Sequence, residues 1–156
     1  MRYAAAAALC ALAWLLAGRA PQVRIIDLPA GVVELHAPMA ITGSHLLIRG
    51  NGTVLRAAPG FRGRALVECR GCRDVRFTGF TMDGNRAAPT GLPPSNVPFA
   101  RFTSGSGLLV ENASDVTVTR VRFSHLDGFA VLAAASRDVR IERVAVSDSG
   151  GRDAAG

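Results

Sequence analysis

The 156-residue chain contains no lysine, and all 18 of its basic residues are arginine. Aromatic residues make up 6% of the chain and do not alternate with the arginines, so few rings are available for bases to stack on. Three cysteines are too few for a small domain held together by disulfides. We therefore expect no nucleic-acid partner, although the formal net charge is +6.

Long apolar runs are missing after the first 20 residues. The run from Ala4 to Ala17 is followed by Gly18 and Ala20 at cleavage-site spacing, which is typical of a secretory signal peptide. A bilayer span needs about 20 apolar residues, so an uncleaved anchor is the alternative. We predict a signal peptide over residues 1–20 and a secreted or periplasmic protein without membrane contact after cleavage. Arginine without lysine, beside abundant alanine, indicates a GC-rich bacterial genome.

An internal repeat is the main feature that the chain does have. Segments 74–82, 115–123 and 138–146 align without gaps from an Asp-Val pair, and their apolar residues recur at four shared positions. Apolar residues alternate within each half of a segment, which is the signal of a β-strand. The alternation shifts by one residue, which predicts a bend, at Gly79, Arg120 and Arg143. A further short strand precedes each segment, so one repeat reads strand, turn, strand, bend, strand.

Repeats of this size bury their apolar side chains by stacking on one another in a solenoid. The last two repeats are 23 residues apart, and the earlier two are 41 apart because a Gly- and Pro-rich loop, residues 86–104, is inserted between them. Equivalent side chains then form columns with the strand spacing of about 4.8 Å. A β-sandwich also explains alternating strands, but it does not explain the fixed offset of every apolar position.

These residues make the chain resemble the right-handed parallel β-helix proteins of the pectate-lyase-like superfamily. Segment 27–35 is similar to the entry coil of such proteins, and segments 46–52 and 80–85 add to the resemblance. It implies an all-β fold, with three parallel sheets wound into about four coils after the signal segment. It also implies one β-helix domain over 21–156, secretion, and action on acidic polysaccharide. Because family members are usually much longer and the last coil has no cap, we expect a fragment of a longer protein.

Acidic residues and a histidine follow the third strand of successive repeats. In a solenoid we expect them on one edge, within two coil spacings or on the order of 10 Å. Carboxylates beside a histidine can cleave a glycosidic bond by acid–base catalysis. They can also bind Ca²⁺, the one candidate cofactor, or cap backbone amides in turns. The candidate catalytic residues are Asp83, His125, Asp127 and Asp148.

Four arginines are candidates for substrate binding, in two columns: Arg76 with Arg140, and Arg120 with Arg143. The guanidinium group binds carboxylates through a planar fork, so an acidic polysaccharide is the expected partner. The alternative is an ordinary solvated surface in an arginine-rich composition. The polygalacturonase signatures Asn-x-Asp, Asp-Asp, Gly-His-Gly and Arg-x-Lys are absent, so the resemblance transfers no catalytic set.

Two functions fit this sequence. A polysaccharide lyase or glycoside hydrolase would use the acidic edge, with the inserted loop as a wall of the substrate groove. A non-catalytic solenoid would bind glycan or serve as a scaffold. Acidic residues that converge in a groove favour the enzyme, and a flat arginine-lined face favours the binder.

Cys69 and Cys72 have the C-x-x-C spacing but no second pair and no nearby histidine, so the zinc signal is weak. Cys69 falls in an inward column, and we predict a small core residue there.

Overall fold

The computed structural model describes residues 21–86 and 104–150. Within them the chain forms strands and no helix, so this part of the chain holds no helix that could span a membrane. The prediction of an all-β fold is confirmed. Residues 1–20 and most of the inserted loop, for which we predicted a signal peptide and a groove wall, lie outside the described residues. The strands are β1 (Arg24–Asp27), β2 (Gly31–Leu35), β3 (Met39–Ile41), β4 (Ser44–Ala57), β5 (Ala65–Arg70), β6 (Arg73–Asp83), β7 (Ser106–Glu111), β8 (Ser114–Thr119), β9 (Arg122–Ser124), β10 (Val131–Ala134), β11 (Arg137–Glu142) and β12 (Ala145–Ser147).

The described strands form two sheets in which every pairing is parallel. The larger sheet runs in the order β1-β4-β6-β8-β11, with β2 beside β4 and with β9 between β6 and β12. The smaller sheet has the order β3-β5-β7-β10. From β5 to β8 successive strands alternate between the smaller and the larger sheet. Two parallel neighbours in one sheet must be joined by a crossover connection, and here the strand in the other sheet is part of that connection. This arrangement is compatible with a β-solenoid.

Strands β4 and β6 are long because each combines two of the short strands that the sequence predicts. The first half of β6 pairs with β8 and its second half with β9. The bend between the halves lies at Gly79, whose φ of 78° is in the left-handed region that glycine adopts freely. The predicted bends at Arg120 and Arg143 are confirmed by φ values of 53° and 52°.

The strand register confirms the predicted columns of apolar residues. In the larger sheet the columns are Val75–Val116–Val139, Phe77–Val118–Ile141 and Met82–Phe123–Val146. In the smaller sheet they are Val67–Leu108–Val131 and Cys69–Val110–Ala133. The weaker copy of the repeat also lies in register, since Leu46 pairs with Val75 and Leu55 with Met82.

These columns form the hydrophobic core. Phe77, Val118 and Leu108 are fully buried, and Phe123 is 1% exposed. Burial decreases towards β10, β11 and β12. Ile141, in the same column as Phe77, is 48% exposed. Packing is therefore tightest in the strands that have a neighbour on both sides.

Cys69 and Cys72 are joined by a disulfide across the turn from β5 to β6. Gly71 allows the tight turn with a φ of 62°, and both cysteines are buried. The prediction of Cys69 as a core residue is confirmed. The spacing alone did not show the bond, because it depends on the turn that brings the second thiol back to the first.

Candidate functional site

A groove of about 490 Å³ crosses the outer face of the larger sheet at β6, β8 and β11. We call these three strands the rungs of the groove. Each rung contributes an aspartate and, two residues later, an arginine or a threonine. The lining residues are Asp74, Arg76, Asp115, Thr117, Asp138 and Arg140.

One wall of the groove is a column of side chains in direct register. Arg76 pairs with Thr117, and Thr117 pairs with Arg140. Their neighbours along each strand point into the core, so strand alternation turns these three outwards. Adjacent rungs lie about 4.8 Å apart, which separates the two arginines by two spacings, on the order of 10 Å.

The other wall consists of the aspartates at the corner where the chain enters each rung. Asp74, Asp115 and Asp138 have φ values of 50°, 56° and 55°. Aspartate tolerates this left-handed conformation better than most residues. The sequence reasoning used the Asp-Val pairs only to align the repeats and missed the aspartates as site residues. The signal was their recurrence two positions before an outward arginine or threonine.

Most charges in the groove are not neutralised by neighbouring side chains. Asp74 has a polar side-chain partner, since its Oδ2 lies 2.8 Å from Nδ1 of His45. Within residues 21–86 and 104–150, no ion pair involves Arg76, Arg140, Asp115 or Asp138. The groove therefore presents charges of both signs to a ligand.

Of the predicted catalytic residues, Asp83 and His125 are brought together. Nδ1 of His125 lies 3.1 Å from Oδ1 of Asp83. The backbone N–H of Asn85 donates to the same oxygen at 2.9 Å, and Nε of Arg56 donates to Oδ2 at 3.0 Å. The Asp83 side chain is 8% exposed and the His125 side chain 50%. The carboxylate thus lies beneath an imidazole that reaches solvent.

The surroundings of Asp83 shift its pKa in two opposing directions. Burial raises the pKa, whereas the bonds from Asn85, Arg56 and His125, together with the charge of Arg56, lower it. The donors outweigh burial, and the pKa lies below its ordinary value of 3.8. Asp83 is therefore ionised at neutral pH, which suits it to orient His125 and not to donate a proton.

The other two predicted catalytic residues have different surroundings. Oδ1 of Asp127 lies 3.3 Å from Nε of Arg86, and Arg86 also donates to the carbonyl oxygens of Leu126 and Gly150. Asp148 is exposed and lies one strand beyond His125, since the backbone N–H of His125 donates to the carbonyl oxygen of the adjacent Ser147. Among the described residues, no group of three or more His, Cys, Asp or Glu side chains could hold a metal ion. The predicted Ca²⁺ stays a prediction, since this ion also binds backbone carbonyl oxygens and water.

The four predicted substrate arginines are divided between two places. Arg76 and Arg140 line the groove, whereas Arg120 and Arg143 sit at the bends, where Arg120 donates to Thr78 at 3.3 Å. The bend at Gly79 also separates Arg76 from Asp83 along β6. The groove and the edge that carries Asp83 and His125 are therefore two distinct sites on the larger sheet.

No known protein family, curated protein or solved structure matches the chain.

Proposed function

We propose that the chain is a secreted right-handed parallel β-helix of about four coils that binds an acidic polysaccharide along the groove. The proposal combines the resemblance to pectate-lyase-like proteins with the parallel register of equivalent residues at the rungs. The observation that carries it is the pair Arg76 and Arg140. Both guanidinium groups line the groove, and neither has an ionic partner in the described part of the chain.

The chemistry of the groove suits an anionic sugar chain. A guanidinium group binds a carboxylate through two parallel hydrogen bonds. The hydroxyl of Thr117 can donate to and accept from sugar hydroxyls, and the carboxylates of Asp115 and Asp138 can accept hydrogen bonds from them. A polymer laid across the rungs meets an aspartate at each strand and an arginine at β6 and β11. Exposed ion pairs are individually weak, so affinity must come from several rungs together and must fall with added salt.

The disulfide supports secretion independently of residues 1–20. Disulfides form and persist mainly in oxidising compartments outside the cytosol. Both cysteines of the Cys69–Cys72 bond are buried in the core, so the disulfide is part of the packed interior.

A polysaccharide lyase or hydrolase is the second candidate, and two observations favour it. Asp83 orients His125 in a way that suits a general base. In the groove, Asp115 and Asp138 lie on adjacent rungs, whose backbone spacing of about 4.8 Å is similar to the ~5 Å carboxylate separation of retaining glycosidases. Release of reducing ends or of unsaturated sugars from polyuronate would demonstrate this activity. Binding ranks first because the bend at Gly79 separates His125 from the groove arginines.

The binding proposal is tested by replacing both groove arginines. We expect Arg76→Ala with Arg140→Ala to weaken binding of a polyuronate on the order of tenfold, measured by calorimetry at low salt. The matched control is Arg62→Ala with Arg122→Ala, which removes the same charge from exposed positions outside the groove. An equal loss in both double variants would show that only net charge attracts the polymer.

A further inference from the structure

The three rungs of the groove do not carry the same charge. On the outer rungs, β6 and β11, two arginines flank each aspartate, whereas on the middle rung, β8, a serine and a threonine take their places. The register makes these positions equivalent, since Ser114 pairs with Arg73 and Arg137, and Thr117 pairs with Arg76 and Arg140. The formal charge is thus positive on the outer rungs and negative on the middle one. The three sets are Arg73, Asp74 and Arg76; Ser114, Asp115 and Thr117; and Arg137, Asp138 and Arg140.

This pattern has a length scale that matches a sugar chain. One pyranose unit of an extended chain is close in length to one strand spacing of about 4.8 Å. A chain laid across the rungs therefore places successive sugars on successive rungs. The two guanidinium groups that line the groove, on Arg76 and Arg140, then meet every second sugar.

The middle rung disfavours a carboxylate. Asp115 is exposed there, and within the described residues no basic side chain forms an ion pair with it. A sugar carboxylate at this rung would face a like charge without a guanidinium to offset it. A hydroxyl can instead bond to Thr117 or Asp115, and an ammonium group can pair with Asp115.

Resting on the proposed function, we propose that the groove selects a polysaccharide in which an anionic sugar alternates with an uncharged or amine-bearing sugar. The anionic sugars lie on the outer rungs, where Arg76 and Arg140 bind them. The intervening sugar lies on β8. A homopolymer of uronic acid satisfies the outer rungs equally well but brings an additional carboxylate to each intervening unit.

The test compares three hexasaccharides with the full chain: a homouronate, an alternating uronate–neutral sugar, and an alternating uronate–hexosamine with free amines. We expect both alternating ligands to bind at least about fivefold more tightly than the homouronate. Simple attraction to a cationic protein predicts the opposite order, because the homouronate carries twice as many carboxylates.

A positive charge added to the middle rung should abolish this preference. Thr117→Arg makes the arginine column continuous, so we expect the homouronate to gain about fivefold in affinity and the preference for alternating ligands to disappear. Ala145→Arg is the matched control, because it adds the same charge at an exposed position of β12 outside the groove. It should change the affinities of all anionic ligands by the same small factor.

The outcomes separate this inference from the proposed function. If the native chain binds the homouronate as well as or better than the alternating ligands, the inference is wrong and acidic-polysaccharide binding still holds. If Thr117→Arg and Ala145→Arg change the affinities for the three ligands in the same way, the middle rung does not determine which ligand is preferred, and the inference is wrong. If none of the three ligands binds, both proposals fail.

Discussion

Asp83 is an acidic side chain whose role is set by its neighbours. Three donors surround its carboxylate, and one of them, His125, reaches solvent. The carboxylate is therefore a positioning group, which fixes the imidazole through Nδ1. Its low pKa also links this small network to the stability of the folded chain.

Replacing Asp83 should remove that link. Asp83→Asn leaves Arg56 without its ionic partner and weakens the bond to His125, so we expect a loss of about 1–3 kcal/mol in unfolding free energy at pH 7. A carboxyl whose pKa is lower in the folded state contributes stability above its unfolded pKa, and loses that contribution as pH falls through the folded value. The difference between the two proteins, measured by urea unfolding, should therefore shrink from pH 5 to pH 3.

The control for this measurement is Asp148→Asn, at an exposed position of the same edge. It should change the unfolding free energy by no more than about 0.5 kcal/mol at any of these pH values. A deficit of Asp83→Asn that stayed constant down to pH 3 would contradict the ionic role of the carboxylate.

At the scale of the strand, the bends depend on how closely neighbouring backbones approach. A Cβ on Gly79 would lie 2.6 Å from the carbonyl oxygen of Gly50, and the φ of Gly79 is also unfavourable for a side chain. Gly52, at the bend of the adjacent strand β4, has a φ of 70°, but nothing lies within 4 Å of its Cβ position. The two glycines therefore separate the conformational cost from the steric cost.

We expect Gly52→Ala to lower the unfolding free energy by about 1–2 kcal/mol, the cost of a left-handed alanine. Gly79→Ala carries that cost and the clash with Gly50, so its loss should be larger, at about 3 kcal/mol or more. Guanidinium unfolding of both variants measures the difference. Equal losses would mean that the two strands separate at the bend without cost.

The strands and bends of this fold were predictable because they follow from the period and the phase of the apolar residues in the sequence. Alternation indicated the strands, and the one-residue shift located the bends at Arg120 and Arg143, although arginine has no preference for the left-handed region. The contact between Asp83 and His125 followed from their neighbouring columns. The two arginines of the groove were predicted, but its aspartates were missed because an aspartate that interrupts the alternation resembles an ordinary turn residue. Whether a neighbour neutralises it depends on side-chain placement, which repeat alignment does not give.

At the scale of the whole molecule, stability should be graded along the stack of strands. Strands β6 and β8 have partners on both sides and buried columns, whereas β11 and β12 are mostly exposed. Regions with few buried contacts open more readily than the core. We expect amides of β11 and β12 to exchange hydrogen at least about tenfold faster than those of β6 and β8.

Mass spectrometry of peptides from the native chain measures this gradient, and exchange of the same peptides in denaturant corrects for sequence effects. Uniform exchange across all four strands would show that the described part of the chain opens as a single cooperative unit.

The shared register has a consequence for how such a groove evolves. Equivalent residues of β8 and β11 are 23 positions apart, and every apolar column accepts one more residue of the same kind. Duplication of one such stretch of the gene would add two short strands to the larger sheet and one to the smaller sheet, and would lengthen the groove by about 4.8 Å. The length of the groove therefore changes in steps of one strand spacing. A lineage can gain or lose one rung of the groove at a time while the hydrophobic interior stays the same.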